Sequence, residues 1–302
     1  MANLKEVRDR IQSVKNTQQI TKAMKMVSAA KLRRAQQAIT RLRPYAEKQN
    51  SMLKNILANL GSDANISFGK ERELKNACVV VVTSSRGLCG AFNSNVIKAA
   101  NALINGKYAG LRDSGNLKIL CIGKKSYDFY KKSFPADAII SDYVTLFDDL
   151  SFDNVSQVAK HLMQSFEEGQ LDAVDVAYGK FKNAATQFTV SEQYLPVVQN
   201  NIGNEVETDS KGKYKAWYIF EPDMEKLLNQ LVPSILQSSF QKYVLDTHAS
   251  EHGARMTAMD KASENAEDLL KELKLSYNKA RQEAITKEIL EIVGGAAALE
   301  GS

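Results

Sequence analysis

The stretch that decides the fold is residues 256–284, MTAMDKASENAEDLLKELKLSYNKARQEA. Apolar or small residues return in it at alternating intervals of three and four, and this heptad spacing predicts a left-handed coiled coil. Because most of these residues are small or slim, two helices can approach each other closely. The stretch therefore predicts a thin, paired rod, typical of a mechanical or scaffolding element. The heptad positions are Met256, Met259, Ser263, Ala266, Leu270, Leu273, Tyr277, Ala280 and Ala284.

The N-terminal segment can supply the partner helix. Residues 3–43 contain neither Gly nor Pro, and their apolar stripe becomes polar at Thr17, Gln18 and Thr21. Helical spacing resumes after Pro44, where a kink is expected, and one helix ending near residue 60 would be about 85 Å long. Two long helices at opposite ends of the chain predict an antiparallel coiled coil. The N-terminal stripe consists of Leu4, Val7, Ile11, Val14, Met24, Leu32, Ala35, Ile39 and Leu42.

Charge distinguishes the two helices. Residues 1–43 carry eleven Lys and Arg against two acidic residues, a net charge of +9, whereas residues 251–300 carry ten acidic against seven basic residues, a net charge of −3. Opposite charges favour pairing of the helices, and the remaining basic surface indicates an acidic partner. A nucleic-acid-binding rod is a rival hypothesis, but residues 1–43 contain none of the aromatic residues that such a rod would use for stacking. We therefore expect no nucleic-acid partner.

Composition limits the remaining classes of protein to which the chain can belong. The 302 residues are 44% hydrophobic, which is ordinary for a soluble protein of two domains. No segment approaches about 18 consecutive apolar residues, and the charged N-terminus lacks an apolar signal core, so neither membrane insertion nor export is expected. Cys78, Cys89 and Cys121 are odd in number and scattered, which predicts reduced thiols in a cytoplasmic protein.

The middle of the chain alternates strands with helices, the pattern of a doubly wound α/β fold. The β-branched run at 77–83 predicts a buried strand of a parallel sheet. A mobile loop is expected at 199–213. The predicted domains are an N-terminal coiled-coil helix (1–60), a central α/β domain (74–213) and a C-terminal coiled-coil helix (222–300). Further strands are predicted at 117–122, 173–181, 187–195 and 217–220, and helices at 93–104, 124–132 and 155–166.

The loop at 84–91, SSRGLCGA, lies where α/β folds bind phosphate groups. Its glycines, Gly87 and Gly90, match neither dinucleotide-binding nor P-loop spacing, and nothing nearby supplies a base for Cys89. We interpret the loop as a tight turn that needs glycine. A small-molecule-binding α/β enzyme that oligomerises through its terminal helices remains the alternative function.

A metal or cofactor site is not expected either. His248 and His252 are four residues apart, as on a metal-binding helix, but a third ligand is not apparent. No Ser, His and Asp combination suggests nucleophilic catalysis. The sequence therefore predicts no catalytic residue, no cofactor and no metal.

Three motifs carry a resemblance to a known family. They are ITKAMKMV at 20–27, SRGLCG at 85–90, and YNKARQEAIT at 277–286 followed by EIVGGAAA at 291–298. With these motifs in this order, the chain resembles the gamma subunit of the bacterial F-type ATP synthase over essentially its whole length. The resemblance implies a long antiparallel left-handed coiled coil and a central Rossmann-like α/β domain. It also implies a non-catalytic rotor shaft that couples proton flow to ATP synthesis and regulates ATPase activity.

The resemblance further implies partners, a location and contact residues. The implied partners are the alpha and beta subunits of the catalytic ring, the epsilon subunit and the membrane rotor ring of c subunits, at the cytoplasmic face of the bacterial inner membrane. The small residues at 296–298 would form a slim tip turning in an apolar bearing. Tyr218 and Glu221 would face the rotor ring and epsilon. Contacts with the alpha/beta ring would come from Met24, Arg255, Arg281, Gln282, Thr286 and Glu288.

Overall fold

The computed structural model describes residues 4–60, 68–69, 72–184, 186–197 and 224–300. The loop predicted at 199–213 and the strand predicted at 217–220 lie outside these residues. Two single-turn 3-10 helices flank the third strand, at Ala136–Ala138 and Leu146–Asp148. In chain order, the helices and strands are α1 (Leu4–Leu60), β1 (Ala77–Val82), α2 (Phe92–Asn105), α3 (Ala109–Asp113), β2 (Leu117–Ile122), α4 (Lys124–Tyr130), β3 (Ile139–Ile140), α5 (Phe152–Glu167), β4 (Ala173–Phe181), β5 (Gln187–Leu195) and α6 (Met224–Glu300).

The five strands form one sheet in the order β3-β2-β1-β4-β5. The first four strands of this order pair in parallel, and β5 runs antiparallel to β4. The strands predicted at 117–122, 173–181 and 187–195 are confirmed with the same bounds. Strand β3 was not predicted, because two residues are too few to show a periodicity. The α/β fold class with long terminal helices is confirmed.

Both faces of the sheet are covered, which explains the unbroken apolar run of β1. Val80 faces a core that includes Leu162 of α5 and Phe240 of α6. Val79, its neighbour in the strand, faces a second core that includes Val96 of α2. Because successive side chains of a strand point to opposite faces, every residue of β1 is buried.

The chain forms two compact units. One consists of the turns of α1 up to Ser28 and those of α6 from Arg255 onward, and the other extends over Ala29–Ala254 and contains the sheet. Pro44 lies inside α1, which continues through it as helix. Among the described residues, no helix has a stretch long and apolar enough to cross a membrane.

The first unit is an antiparallel pair of helices. Thr21 Oγ1 lies 2.7 Å from Ser263 Oγ, and one turn further along α1 an ion pair joins Lys25 to Asp260. Residue numbers therefore rise along α1 as they fall along α6, which makes the pair antiparallel. This register places Leu4 level with Ala280, and each predicted heptad position from 256 to 277 then faces a seam position of α1. The seam positions of α1, all buried or half-buried, are Val7, Ile11, Val14, Gln18, Thr21, Lys25 and Ser28.

The middle of the seam is polar, as predicted at Thr21. Thr21 and Ser263 are 8% and 6% exposed, and each hydroxyl also lies within 3.0 Å of a carbonyl of its own helix. Each hydroxyl has one hydrogen, so one hydroxyl donates across the seam while the other donates back to its own helix. The ion pair between Lys25 and Asp260 is about half exposed and contributes little to stability.

We expect Thr21 and Ser263 to stabilise the pair cooperatively. A double-mutant cycle with Thr21→Val and Ser263→Ala should give a coupling free energy of about 0.5–1.5 kcal/mol, the net contribution of one buried hydrogen bond. The measurement is urea unfolding of the purified chain. Thr17 is the matched control, because it is exposed and its hydroxyl donates only to Ser13 O, 3.0 Å away. A Thr17→Val cycle with Ser263→Ala should show no coupling; equal coupling in both cycles would contradict the bond across the seam.

Candidate functional site

The C-terminal end of α6 extends beyond the start of α1. From the register of the helix pair, residues 281–300 continue as helix for about 30 Å past the level of Leu4. Every described side chain from 281 to 296 is exposed. The heptad stripe is therefore confirmed as far as Ala280 and is wrong at Ala284, which is exposed because no described residue of α1 reaches it. We call residues 281–300 the C-terminal extension.

The C-terminal extension carries large apolar side chains in contact with solvent. Five of them are between 48% and 68% exposed, and they cover nearly half of the helix circumference. A group of exposed apolar side chains of this kind marks a surface that binds another protein. These five are Ile285, Ile289, Leu290, Ile292 and Val293.

Four of the predicted contact residues lie at the start of this extension, and all four are exposed. Arg281 and Glu288 are seven residues apart and share one side of the helix. Gln282 and Thr286 occupy the adjoining side, and the Thr286 hydroxyl donates to Gln282 O at 2.9 Å. The four therefore lie on one broad exposed surface of the helix, with Arg281 and Glu288 beside the line of the seam and Gln282 and Thr286 farther from it.

Met24 lies on α1 at the edge of the seam and is half-buried. Its neighbours at helical spacing, Ile20 and Val27, are 60% and 58% exposed. The three residues form an apolar stripe outside the seam. The spacing of Ile20, Met24 and Val27 in the 20–27 motif could have predicted this stripe. This stripe adds a second exposed apolar surface to the first unit of the chain.

Three predicted contact residues remain, of which one is buried and two lie outside the described residues. Arg255 is only 6% exposed, so its guanidinium offers little surface to a partner in this structure. Tyr218 and Glu221 lie outside the described residues. The prediction for these three residues stays a prediction.

The glycine loop of the α/β domain is closed by its own hydrogen bonds. The amide of Ser84 donates to Asn93 Oδ1 at 2.9 Å, and the Ser84 hydroxyl donates to Arg86 O at 2.6 Å. Asn93 Nδ2 in turn contacts Cys89 Sγ at 3.1 Å. Leu88 and Gly90 adopt positive φ angles of 64° and 58°. This geometry agrees with a tight turn that needs glycine.

Helix α6 packs against the carboxyl end of β4, beside the switch point between β1 and β4 where doubly wound folds bind ligands. The Ser250 hydroxyl donates to Gly179 O at 3.0 Å, and the Gly179 amide lies 3.3 Å from Thr247 Oγ1. A Cβ atom at Gly179 would meet the ring of Phe92 at 2.5 Å. Side chains of α2 and α6 therefore pack closely around Gly179, and this packing does not favour the alternative enzyme function.

The buried titratable groups of the sheet have structural roles. Burial raises the pKa of the Cys78 thiol to about 12 and that of Cys121 to about 11, which keeps both thiols protonated and unreactive. Asp175 accepts hydrogen bonds at 2.9 Å from both Lys107 Nζ and Tyr108 Oη. This buried cluster was not predicted, because its members are separated by almost 70 residues. No group of three or more metal-ligating side chains occurs in the described part of the chain.

From this geometry we expect the purified chain to bind no nucleotide tightly. The loop at 84–91 lacks the P-loop lysine, and Thr247 and Ser250 pack against Gly179 at the carboxyl end of β4. Isothermal titration calorimetry with MgATP should show no stoichiometric heat at micromolar concentrations. A stoichiometric site of micromolar affinity on the isolated chain would contradict the expectation. A Gly179→Ala variant would not serve as a control for this titration, because the added Cβ atom would collide with the Phe92 ring and disturb the packing.

Comparison with known proteins identifies the family of the chain. A family model described as ATP synthase matches residues 3–299. The ATP synthase gamma chain of Cytophaga hutchinsonii is 52% identical over 299 residues, which cover 99% of both chains. This chain belongs to the ATP synthase gamma-chain family. The gamma chain of Flavobacterium psychrophilum is also similar, with 50% identity over the full length of both chains.

Solved structures of mitochondrial ATP synthases contain chains with a related fold. A chain of the Tetrahymena thermophila mitochondrial ATP synthase, in a structure titled central stalk/cring, matches with a TM-score of 0.57 and 26% identity, covering 81% of this chain and 99% of that one. A chain of the Euglena gracilis mitochondrial ATP synthase matches with a TM-score of 0.64 over 98% of this chain and 94% of that one. Its identity is 21%, so this second likeness concerns the fold alone. The family resemblance and the fold class are thus confirmed.

Proposed function

We propose that this gamma-family chain is the central rotor shaft of a bacterial F-type ATP synthase. In this role it couples transmembrane proton flow to ATP synthesis in a ring of alpha and beta subunits, and it regulates their ATPase activity without being catalytic itself. The observation that carries the proposal is the slim helix pair ending in the exposed C-terminal extension. A shaft of this form can enter a ring of subunits and turn inside it, because small seam residues keep it narrow.

Most of the proposed contacts follow from exposed groups on the first unit; half-buried Met24 and buried Arg255 are proposed from the family resemblance alone. The apolar surface of residues 285–293 suits an apolar bearing, and the polar surface that begins at Arg281 suits hydrogen bonds with surrounding loops. The basic N-terminal segment suits acidic loops of the ring. We propose that the ring contacts are made by Met24, Arg255, Arg281, Gln282, Thr286 and Glu288.

The α/β domain is proposed to stand on the membrane rotor ring of c subunits beside epsilon, with Tyr218 and Glu221 at that contact. The complex would then lie at the cytoplasmic face of the bacterial inner membrane, with this chain as a peripheral subunit. The Tetrahymena relative comes from a structure of a central stalk with its c-ring, which supports this arrangement. We also propose 1–60, 74–213 and 222–300 as the functional segments: shaft helix, base and shaft helix.

The test is capture of the chain from native membranes. Antibodies against the chain should recover, after mild detergent extraction, an ATP-hydrolysing complex that contains alpha, beta, epsilon and c subunits. Reconstituted complexes with the chain should pump protons, whereas alpha/beta rings assembled without it should hydrolyse ATP without pumping. Recovery of the chain with none of these subunits, or pumping by complexes that lack it, would contradict the proposal.

A further inference from the structure

We infer that His248 and His252, on α6 within the second unit, form a two-histidine binding site for a divalent transition metal ion such as Zn²⁺, Ni²⁺ or Cu²⁺. Their Nε2 atoms lie 3.1 Å apart. Two imidazole nitrogens bound to one metal ion at about 2.0–2.1 Å are separated by about 2.8–3.4 Å in octahedral or tetrahedral geometry. The two nitrogens therefore already have the separation that a shared metal ion requires.

The backbone explains this separation. Residues four apart on a helix lie on the same face, one turn above the other, so their side chains meet without any change of backbone. The two rings are nearly perpendicular, at 84°, with centroids 4.5 Å apart. A metal ion would link consecutive turns of α6 and would bind the folded helix in preference to the unfolded chain.

Packing holds both rings in place. The His248 ring stacks on Phe147, with ring centroids 5.9 Å apart and an interplanar angle of 21°. His252 is only 5% exposed, which restricts its rotamers. His248 is half-buried and so provides the access that a hydrated ion needs. Because packing already holds both rings, little side-chain entropy remains to be lost when a metal ion binds.

The type of ligand selects the class of metal. Neutral imidazole nitrogen suits Zn²⁺, Ni²⁺ and Cu²⁺, whereas Mg²⁺ and Ca²⁺ prefer oxygen ligands. Within the described residues no third side chain completes a cluster, so water would fill the remaining coordination positions. We therefore expect a site of moderate affinity, with one ion per chain.

Metal binding must displace the hydrogen that the two rings share. At 3.1 Å the two Nε2 atoms share one hydrogen, which one ring donates to the other. Metal binding needs both nitrogens without hydrogen, so this proton moves to Nδ1 of the same ring or is released to solvent.

The experiment uses the untagged full-length chain. Zn²⁺ is titrated against a chromophoric chelator, and we expect one ion per chain, with at least tenfold weaker binding in His248→Gln. His161→Gln is the matched control, because His161 lies on α5, where its ring contacts that of Tyr143; it should bind like the parent. Mg²⁺ should not compete. Parent binding that His248→Gln leaves unchanged, or no Zn²⁺ binding at all, would show a hydrogen-bonded pair only and overturn the inference.

A second measurement needs no variant at this partly buried position. Paramagnetic Co²⁺ added to the parent chain should broaden the ring signals of two of its three histidines in the NMR spectrum. Equal broadening of all three signals, or of none, would contradict a chelate between His248 and His252. This measurement decides the question even if a variant fails to fold.

Discussion

Replacing Arg281 and Gln282 together by Ala is expected to lower ATP turnover by the assembled complex about tenfold while assembly stays normal. Both side chains are exposed at the start of the C-terminal extension, so truncating them opens no cavity. In the proposed shaft, a guanidinium can form a bidentate bond to a carboxylate of the ring, and the neighbouring amide can add another. Losing them removes about 1–3 kcal/mol of charge-assisted bonding.

These bonds affect turnover because they form at one angle of the shaft and break at others. Only a contact whose free energy differs between states can transmit rotation to the catalytic sites. The matched control is Asn278→Ala with Lys279→Ala, which also removes one amide and one cation from exposed neighbouring positions three residues earlier. Turnover per assembled complex is compared among parent, test and control. If the test and control pairs have equal turnover, Arg281 and Gln282 have no special transmission role.

The second large effect concerns the stability of the sheet. Gly123→Ala should lower the free energy of unfolding by about 3 kcal/mol or more. Gly123 has φ +90°, and a Cβ atom there would lie 2.1 Å from Thr83 O. A backbone oxygen cannot move aside as a flexible side chain can, so the ends of β1 and β2 must separate. The positive φ adds about 1 kcal/mol or more of backbone strain.

Gly115→Ala separates the two causes. Gly115 also has a positive φ, of 79°, but a Cβ atom there would meet nothing within 4 Å, so the substitution introduces the backbone strain without the collision. Urea unfolding of both variants, followed by hydrogen exchange of the β1 amides, measures the difference. We expect Gly115→Ala to lose about 1 kcal/mol. If both variants lose the same free energy of unfolding, the collision with Thr83 O does not contribute to the destabilisation at Gly123.

Local patterns predicted most of the secondary structure. Strands β2 and β4 begin and end as predicted, because their largely apolar runs are bounded by polar or glycine residues, and β5 ends as predicted before Pro196. The heptad stripe correctly predicted the seam as far as Ala280. It was wrong at Ala284 because the spacing of one helix does not show where its partner begins. The two-residue strand β3 was missed because strand periodicity needs several residues.

The candidate site was only partly predictable. The exposure of Arg281 and Gln282 follows from their places beside the stripe, and the structure agrees. The burial of Arg255 did not follow from its sequence neighbours, because burial depends on what packs against a side chain. The four-residue spacing of His248 and His252 was visible in the sequence, but the 3.1 Å separation of their nitrogens depends on ring orientations that packing sets.

The sequence by itself determined the elements: two long helices with a narrow seam, and an alternation of strands and helices between them. These features depend on residues close together in the chain, so their periodicity can be read directly. Only the tertiary structure decided the register of Thr21 against Ser263 and the contacts of Thr247 and Ser250 with Gly179. These contacts join residues about 70 to 240 positions apart. Their partners are chosen by the packing of the whole chain, which no local spacing records.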